Sequence, residues 1–504
     1  MTYLIGVDVG TSGTKSVLFD EKGNIIGTSS AEYELIQPQN GWAEQKPVDF
    51  KNATLKTLKD LAKLVNPSDI KGVGVSGQMH GLVILDEKNE PLCNSLIWCD
   101  QRTENEVKEI ENKIGRENYI SLTLNVPNTS FTLSKLLWIK NNRHEIYDKI
   151  NKILLPKDYI NFCICGNFST DVSDASGTGY FDVRKRAWSE EILNSFEINK
   201  NLLPKVFESC DVVGNVTAEI AKETGLSTST IVVAGAGDQA AAALGNGVCS
   251  GGDMSISLGT SGVVFSAVNE PLYDDKGRIH TFCHAIKNMW HIMGVTQGCG
   301  LSVSWFKQNF AESVSYKELD MKAMNKGSNG AMFLPYLMGE RTPHLDPNCR
   351  GAFIGISASH DKINLYKAVL EGCCFSLKEC YDIILNIGLE PRHIQVCGGG
   401  ANSDLWLQIL SDTLARTINK SENSESGARG VAMLAGVGVK TYKDVKTANE
   451  NMNSVSSFNI SSNEQMACYY NDIFPIYKNL YHSIKQCNNK LLKITRENYD
   501  ILSE

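Results

Sequence analysis

A short turn rich in glycine and hydroxyl side chains follows the first apolar run of the chain. The run spans residues 3–9, and Asp8 stands near its end. Residues 16–20 and 25–27 are predicted strands, so the turn joins two antiparallel strands. Glycine N–H groups can approach phosphate oxygens, hydroxyl groups add donors, and an adjacent carboxylate can hold magnesium through water. The pattern predicts a phosphate-binding hairpin with Asp8 as its metal-binding residue. The predicted contacts of this hairpin are Gly10, Thr11, Ser12, Thr14 and Lys15.

The same pattern returns near the middle of the chain, where residues 255–265 read as strand, Gly-Thr-Ser-Gly turn and strand. Neither turn ends in the Gly-Lys-Ser/Thr of a Walker loop, which would lead into a helix. Two such hairpins about half a chain apart predict duplicated lobes that present them to one nucleotide. A pair of ordinary tight hairpins is the alternative, but it accounts neither for Asp8 nor for the glycine run at 398–400.

The length and composition fit a two-lobed soluble enzyme. The chain has 504 residues, 42% of them hydrophobic, which allows two to four domains with packed cores. Its 57 acidic and 49 basic residues give a net charge of -8, which argues against nucleic-acid binding. The 15 cysteines never form Cys-x-x-Cys, and we see neither a signal peptide nor a long apolar span. These features predict reduced thiols, no membrane association and a cytoplasmic location.

Two other motifs match the residue spacing of known ligand sites, but the secondary structure predicted around them does not fit such sites. Residues 72–77 match the dinucleotide fingerprint Gly-x-Gly-x-x-Gly, which should open a helix. A predicted strand at 82–86 follows here, so we expect residues 76–81 to form a loop that faces a cavity. His280 and His284 have the spacing of helical metal ligands, but no third ligand accompanies them, so we expect a packing role.

Residues 232–242 read as a β-branched strand, a Gly-x-Gly-Asp turn and an alanine-rich helix. Taken alone, Asp238 at the start of this helix is expected to be an N-cap residue. The turn lies about twenty residues before the second hairpin, where a lobe boundary is expected. In that position Asp238 could instead accept the proton of a hydroxyl group that attacks a γ-phosphate.

A second glycine-rich turn connects a strand to a helix at residues 394–408. Its three glycines, at 398–400, suit a base or a ribose that lies on the backbone. Asn402 follows them and could be the helix cap, a ligand contact or both.

Two longer segments identify the scaffold. Residues 130–142 and 351–371 fit two signatures of the FGGY family of carbohydrate kinases, and the resemblance covers nearly the whole chain. From the residues alone, 133–139 predict a helix that buries most of one side, on which Lys135 could be a solvated charge. The resemblance implies an α/β fold of two ribonuclease-H-like lobes, as in the actin-like ATPase superfamily, around a central cleft.

Within the family, four loops are most similar to the xylulokinase branch, and they lie at 76–81, 97–103, 173–178 and 339–344. The resemblance implies phosphoryl transfer from ATP to D-xylulose with Mg²⁺, with Asp238 as the general base and Asp8 near the metal and the phosphates. It implies sugar contacts from Gln78, Met79, His80, Asp238 and Gln239. It implies an ATP site that includes Gly259, Thr260, Gly399, Gly400 and Asn402.

The predicted domains are an N-terminal lobe at 1–248, with the sugar site and the first phosphate loop, and a C-terminal lobe at 249–504, with the ATP site. A homodimer is possible, and the lysine-rich tail at 485–504 is predicted as a solvated helix or a disordered end. Two alternatives stay open: a kinase of the same family for ribulose, glycerol or gluconate, and an actin-like ATPase without kinase activity. Sugar-dependent consumption of ATP would separate the second alternative.

Overall fold

The computed structural model describes residues 1–453 and 458–498, and it consists of two α/β lobes that are each centred on a seven-stranded sheet. The first sheet contains β1 (Tyr3–Val9), β2 (Gly13–Asp20), β3 (Ile25–Glu32), β4 (Ile70–Gly77), β5 (Val212–Asn215), β6 (Ile231–Val233) and β7 (Ala236–Gly237). The second sheet contains β8 (Asp253–Leu258), β9 (Gly262–Val268), β10 (His280–Cys283), β11 (Trp290–Thr296), β12 (His393–Cys397), β13 (Ile418–Lys420) and β14 (Asn459–Ile460). The predicted α/β class is confirmed.

The two sheets repeat one topology. Strands β3, β2 and β1 are antiparallel neighbours, and β4 and then β6 continue the sheet in parallel with β1. Strands β11, β9 and β8 are likewise antiparallel, and β12 and β13 continue in parallel with β8. The predicted duplication is therefore confirmed. Because β1, β4 and β7 run in the same direction, the residues that follow them meet at one edge of the first sheet.

Helices cover both sheets and link them. The longer ones are α1 (Pro47–Ala62), α2 (Thr132–Asn142), α3 (Pro156–Cys165), α4 (Asp238–Gly245), α5 (Gly300–Phe310), α6 (Tyr316–Met324), α7 (Lys362–Asn386), α8 (Asp404–Leu414), α9 (Ser426–Gly438), α10 (Val445–Met452) and α11 (Glu464–Glu497). Further helices lie at Glu104–Ile114, Arg116–Thr123, His144–Tyr147, Val172–Ala175, Glu190–Ser195 and Ala218–Thr224. Short strands pair as Glu44–Gln45 with Ser95–Leu96, Val83–Leu85 with Lys152–Leu154, Ser169–Asp171 with Lys205–Phe207, Phe181–Asp182 with Ala187–Trp188, and Met332–Leu334 with Ala352–Ile354.

Helix α9 comes from the C-terminal half of the chain but packs on the first sheet. Its residues Ala428 and Val431 belong to the same buried cluster as Leu4 of β1. Glycines allow this approach, because a Cβ at Gly6 would lie 1.8 Å from the Ala428 carbonyl oxygen and one at Gly74 would lie 2.1 Å from that of Val431. The division of the chain at 248/249 stays a prediction, and the packing of α9 adds a C-terminal segment to the first lobe.

The C-terminal helix α11 packs on the second lobe through Tyr470, Tyr477 and Tyr481, which are buried. Its last turns expose Leu491 and Ile494, so the lysine-rich tail is a solvated helix up to the end of α11. The rest of that tail, at 499–504, lies outside the described residues. Across residues 1–453 and 458–498, no helix is both long and apolar enough to cross a membrane. All 15 cysteines are free.

His280 and His284 serve packing rather than a shared ligand. His280 begins strand β10 and lies 3.0 Å through Nδ1 from Asn125 Oδ1, while His284 is fully buried against Phe265. Residues four apart lie on one face of a helix, but along an extended strand they are about 13 Å apart. The packing role expected for these histidines is confirmed.

Candidate active site

Asp8 lies in β1 where the first hairpin begins, and its Oδ1 atom is buried with no hydrogen-bond partner among the described residues. Burial raises the pKa of this carboxyl group, and the nearby Glu425 adds to the rise, whereas Ser76 and Lys15 oppose it. A buried carboxylate oxygen without a donor is costly unless a cation or a proton satisfies it. The residue present at this position therefore fits a bound magnesium ion.

The hairpin itself is tied to the adjacent loop. Thr11 Oγ1 accepts a hydrogen bond from Trp98 Nε1 at 2.9 Å and donates to Gln78 Oε1 at 3.4 Å. Gln45 Nε2 donates to the Thr11 carbonyl oxygen at 2.6 Å, and Gln78 Nε2 donates to Gln45 Oε1 at 2.8 Å. Gln78 is only 2% exposed, so its amide group connects the predicted sugar loop to the predicted phosphate loop.

The other predicted residues of this hairpin differ in exposure. Ser12 is exposed at the tip of the turn, whereas the Thr14 side chain is buried in β2. Lys15 pairs with Glu425 at 2.6 Å, just before α9 begins. The hairpin geometry is as predicted, but the phosphate contacts of these residues stay a prediction.

His80 lies in the loop after β4 with a positive φ of 69°. Its Nδ1 atom is 2.7 Å from the Gly177 carbonyl oxygen, which can only accept, so Nδ1 carries the proton and Nε2 is an acceptor. Burial, helped by the charge of Lys135, lowers the pKa of His80 to about 3. The imidazole is therefore neutral at physiological pH. Met79 beside it is buried and packs against Phe131.

Lys135 supports the backbone of the loop that carries His80. The residue is fully buried, and its ammonium group donates to the carbonyl oxygens of His80, at 2.9 Å, and Ser130. Burial lowers the pKa of Lys135 to about 7, although Asp100 opposes this change. The interpretation of Lys135 as a solvated charge was wrong, because its helix α2 turns this position toward the loop after β4 instead of toward water.

Asp238 is the first residue of α4, and Gly237 before it is the N-cap residue. The N-cap interpretation of Asp238 was therefore wrong. Its Oδ1 accepts a hydrogen bond from the Gln239 backbone N–H at 2.7 Å. Burial, together with the negative charge of Asp8, raises the pKa of Asp238 to about 7. The structure thus brings Asp8 and Asp238, which are 230 positions apart in the numbering, into electrostatic contact.

A buried cluster of charged residues lies next to the turn before Asp238. This cluster was not predicted from the sequence. Lys157 Nζ lies 2.7 Å from Asp158 Oδ1 and 3.2 Å from Asp171 Oδ1, and all three residues are buried. Asp171 accepts from Ser173 Oγ at 2.5 Å, and that oxygen in turn accepts from the Gly237 backbone N–H at 3.1 Å. This chain of contacts fixes the N-cap residue that immediately precedes Asp238.

The second hairpin opens into a cavity of about 990 Å³ in the second lobe. The cavity is lined by all five residues predicted there, Gly259, Thr260, Gly399, Gly400 and Asn402. A Cβ at Gly399 would meet nothing within 4 Å, so this backbone is open toward a ligand. Tyr316 and Met321 also line the cavity and were not predicted, because they lie on α6, far in sequence from any glycine turn.

Asn402 is not a helix cap. Ser403 is the N-cap residue of α8, and its Oγ accepts a hydrogen bond from the Trp406 backbone N–H at 3.0 Å. The cap alternative for Asn402 was therefore wrong. The side chain lines the cavity, and its contact with a ligand stays a prediction.

Comparisons with known proteins agree with this geometry. Residues 3–245 match the N-terminal domain, and residues 254–439 the C-terminal domain, of the FGGY family of carbohydrate kinases. A xylulose kinase of Bacillus subtilis is 37% identical over 497 residues, which cover 97% of this chain and 99% of the relative.

Solved structures of other sugar kinases have a similar fold. A ligand-bound xylulose kinase from Lactobacillus acidophilus is similar with a TM-score of 0.92 and 27% identity, covering 97% of this chain and 100% of that one. A gluconate kinase structure from the same species also has a TM-score of 0.92 and 27% identity, covering 97% of this chain and 99% of that one. The predicted two-lobed fold of the actin-like ATPase superfamily is confirmed. The chain belongs to the FGGY family of carbohydrate kinases and is a sugar kinase that uses ATP.

Proposed function

We propose that this kinase transfers the γ-phosphoryl group of ATP to D-xylulose and forms D-xylulose 5-phosphate. The observation that carries the proposal is Asp238, whose carboxyl group has a pKa of about 7 and lies near Asp8 at the sheet edge. The relatives named xylulose kinase support the choice of sugar.

In this reaction Asp238 accepts the proton of the attacking hydroxyl group as the new O–P bond forms. A general base is most effective when its pKa is close to the working pH, and Asp238 meets this condition. His80 Nε2 accepts a hydrogen bond from another sugar hydroxyl, since Nδ1 is occupied by Gly177. Met79 and Gln239 complete the proposed sugar contacts, and Gln78 keeps the sugar loop attached to the phosphate hairpin.

The nucleotide occupies the second-lobe cavity, with its phosphates toward the two hairpins. Tyr316 and Met321 offer an apolar wall for the base, and the open backbone at Gly399 offers a surface for the ribose, with Gly400 beside it in the cavity lining. Asp8 holds Mg²⁺, which when bound neutralises phosphate charge. The backbone N–H groups of both hairpins donate to the phosphate oxygens.

We further propose that the lobes divide near 248/249 and close around the sugar, which would exclude water and limit hydrolysis of ATP. A cytoplasmic location and a homodimer stay predictions. The non-kinase ATPase alternative is disfavoured, because the chain matches both domains of a carbohydrate kinase family. Another sugar substrate is the remaining alternative, and the gluconate kinase of similar structure favours including gluconate in the test.

The test is a coupled assay of ADP release with Mg-ATP and separate D-xylulose, D-ribulose, L-ribulose, glycerol, gluconate and no-sugar reactions. We expect the highest kcat/KM with D-xylulose and little release without sugar. Asp238→Asn should lower sugar-dependent release by about 10²- to 10⁴-fold while nucleotide still binds. A preference for another compound would refute the substrate, and equal release with and without sugar would refute the kinase reaction.

A further inference from the structure

Arg341 belongs to the second lobe, but its side chain reaches the predicted sugar loop of the first. Its guanidinium carbon lies 5.6 Å from the ring centroid of Trp98, the residue that donates to the phosphate hairpin. The positive charge of Arg341 also contributes to the low pKa values of His80 and His280. The side chain therefore stands where the two lobes face each other, beside the imidazole proposed to bind the sugar.

The guanidinium group of Arg341 differs from those of the other buried or partly buried arginines, because it has no hydrogen-bond or ion-pair partner among the described residues. Other partly buried arginines are paired: Arg102 with Asp100 at 2.7 Å, Arg186 with Glu208 at 2.7 Å, and Arg278 with Asp274 at 2.6 Å. In the described part of the chain, the Arg341 side chain makes neither an ion pair nor a hydrogen bond, and burial lowers its pKa. The side chain is only partly buried, and none of its nitrogen atoms is both buried and unpartnered, so its five N–H donors stay available to a ligand in the cleft.

The backbone around this residue is held firmly. Glu340 Oε1 accepts from the backbone N–H groups of Gln297 and Arg341, both at 2.7 Å. Thr342 donates through its backbone N–H to Val295 at 3.0 Å and through its hydroxyl to the Arg278 carbonyl oxygen at 2.7 Å. These contacts hold the backbone at Arg341 against strand β11 and leave the end of its side chain free to meet a ligand.

We propose that Arg341 is a sugar-binding residue of the second lobe and donates hydrogen bonds to oxygens of the sugar. The inference rests on the proposed function and extends it. His80 Nε2 accepts and the Arg341 guanidinium donates, so the two groups complement a hydroxyl and a carbonyl or second hydroxyl.

This arrangement links sugar binding to closure of the cleft. His80 and Trp98 belong to the first lobe and Arg341 to the second, so a sugar held between them joins the lobes. Binding of the correct sugar thereby brings the ATP cavity toward the attacking hydroxyl. A compound that cannot accept from Arg341 would leave the cleft open and be phosphorylated slowly.

The experiment compares the wild type with Arg341→Met, Arg341→Lys and the matched control Arg350→Met. Arg350 lies in the same loop and donates only to the carbonyl oxygens of Pro347 and Cys349. Each protein is assayed with Mg-ATP and the sugar of the panel that the wild type uses best, and sugar binding without nucleotide is measured by calorimetry. Thermal unfolding midpoints check that each variant is folded.

We expect Arg341→Met to raise the KM and the dissociation constant for the sugar by about 10- to 100-fold, the usual value of a hydrogen bond from a charged donor. Arg341→Lys should recover part of the loss, and Arg350→Met and the KM for ATP should stay within about twofold of wild type. A sugar KM within about twofold of wild type in Arg341→Met overturns the inference and leaves the proposed function standing. A wild type that prefers another sugar refutes D-xylulose, and weakened binding of that sugar by Arg341→Met still supports the inference.

Discussion

Asp238→Asn should stabilise the protein above neutral pH although it removes the proposed base. The pKa of Asp238 is raised from 3.8 to about 7, so the ionised form is disfavoured in the folded protein relative to the unfolded chain. Each pH unit between these values is worth about 1.4 kcal/mol. The full cost of ionised Asp238 is therefore about 4 kcal/mol, and an asparagine of the same shape does not incur it.

The direction of the pH effect on stability follows from the upward shift of the Asp238 pKa. Below pH 4 the carboxyl group is neutral in both states and imposes no cost, whereas between about pH 4 and 7 it ionises only on unfolding. The wild type therefore loses stability relative to Asp238→Asn as pH rises through this window, and the difference is constant above it. We expect the difference in free energy of unfolding to grow by about 2–3 kcal/mol between pH 5 and 8.

The assay is urea denaturation of wild type and Asp238→Asn without nucleotide or sugar at half-unit steps from pH 5 to 8.5. Asp60→Asn is the control. The Ser29 hydrogen bond and Lys56 lower the pKa of Asp60, so its replacement should show no gain with rising pH. A difference between Asp238→Asn and wild type that is flat from pH 5 to 8 would refute the raised pKa, and with it the argument that Asp238 is poised as a base.

Three further results are expected. The kcat/KM for the sugar should fall about tenfold per pH unit below a pKa of about 7, because protonated Asp238 cannot accept a proton, and a level profile from pH 5.5 to 8 in the coupled assay would contradict this. Gly177→Ala should raise the KM for the sugar about tenfold and leave the KM for ATP unchanged, because the alanine Cβ would lie 2.5 Å from the His80 ring. An unchanged KM for the sugar would show that the position of the His80 ring does not matter for sugar binding. Gly74→Ala should destabilise the fold by about 2 kcal/mol, because its Cβ would lie 2.1 Å from the Val431 carbonyl oxygen, and an unchanged urea midpoint would argue against tight packing of α9.

The parts of the fold that could be predicted are those determined by neighbours in sequence. Alternating apolar residues and the two Gly-Thr-Ser-Gly turns predicted both hairpins, and the strand, turn and helix around Asp238 lie within about ten residues. The cap assignments failed at Asp238 and Asn402, where the helix begins one residue away from the expected position. Such boundaries depend on backbone angles that the residue types at a glycine turn do not determine.

Contacts between distant segments could not be predicted. The approach of α9 to β1 and β4 depends on residues more than 350 positions apart in the chain, and glycines such as Gly6 and Gly74 allow it without indicating which segment they contact. Lys135 offered a local signal that was undervalued, since a lone lysine among the mostly apolar residues 133–139 of α2 indicates a buried partner as readily as solvent. The unpaired state of Arg341 has no signature in sequence, because it depends on the absence of a carboxylate in three dimensions.

The cations around the cleft differ in how readily they can change partners, and this difference suggests their roles. Lys135 and Lys157 are fully buried and already have acceptors, so moving either would leave buried groups unsatisfied. The Lys15 side chain is 46% exposed and pairs with Glu425, which is 24% exposed, and such pairs are worth about 0–1 kcal/mol. Lys15 can thus exchange Glu425 for a phosphate at small cost, whereas Arg341 has no partner to give up. Lys135 holds the loop after β4, and the Lys157 cluster holds the turn before Asp238. We predict that Lys15 and Arg341, whose side chains can take a new partner at small cost, meet the ligands from opposite lobes.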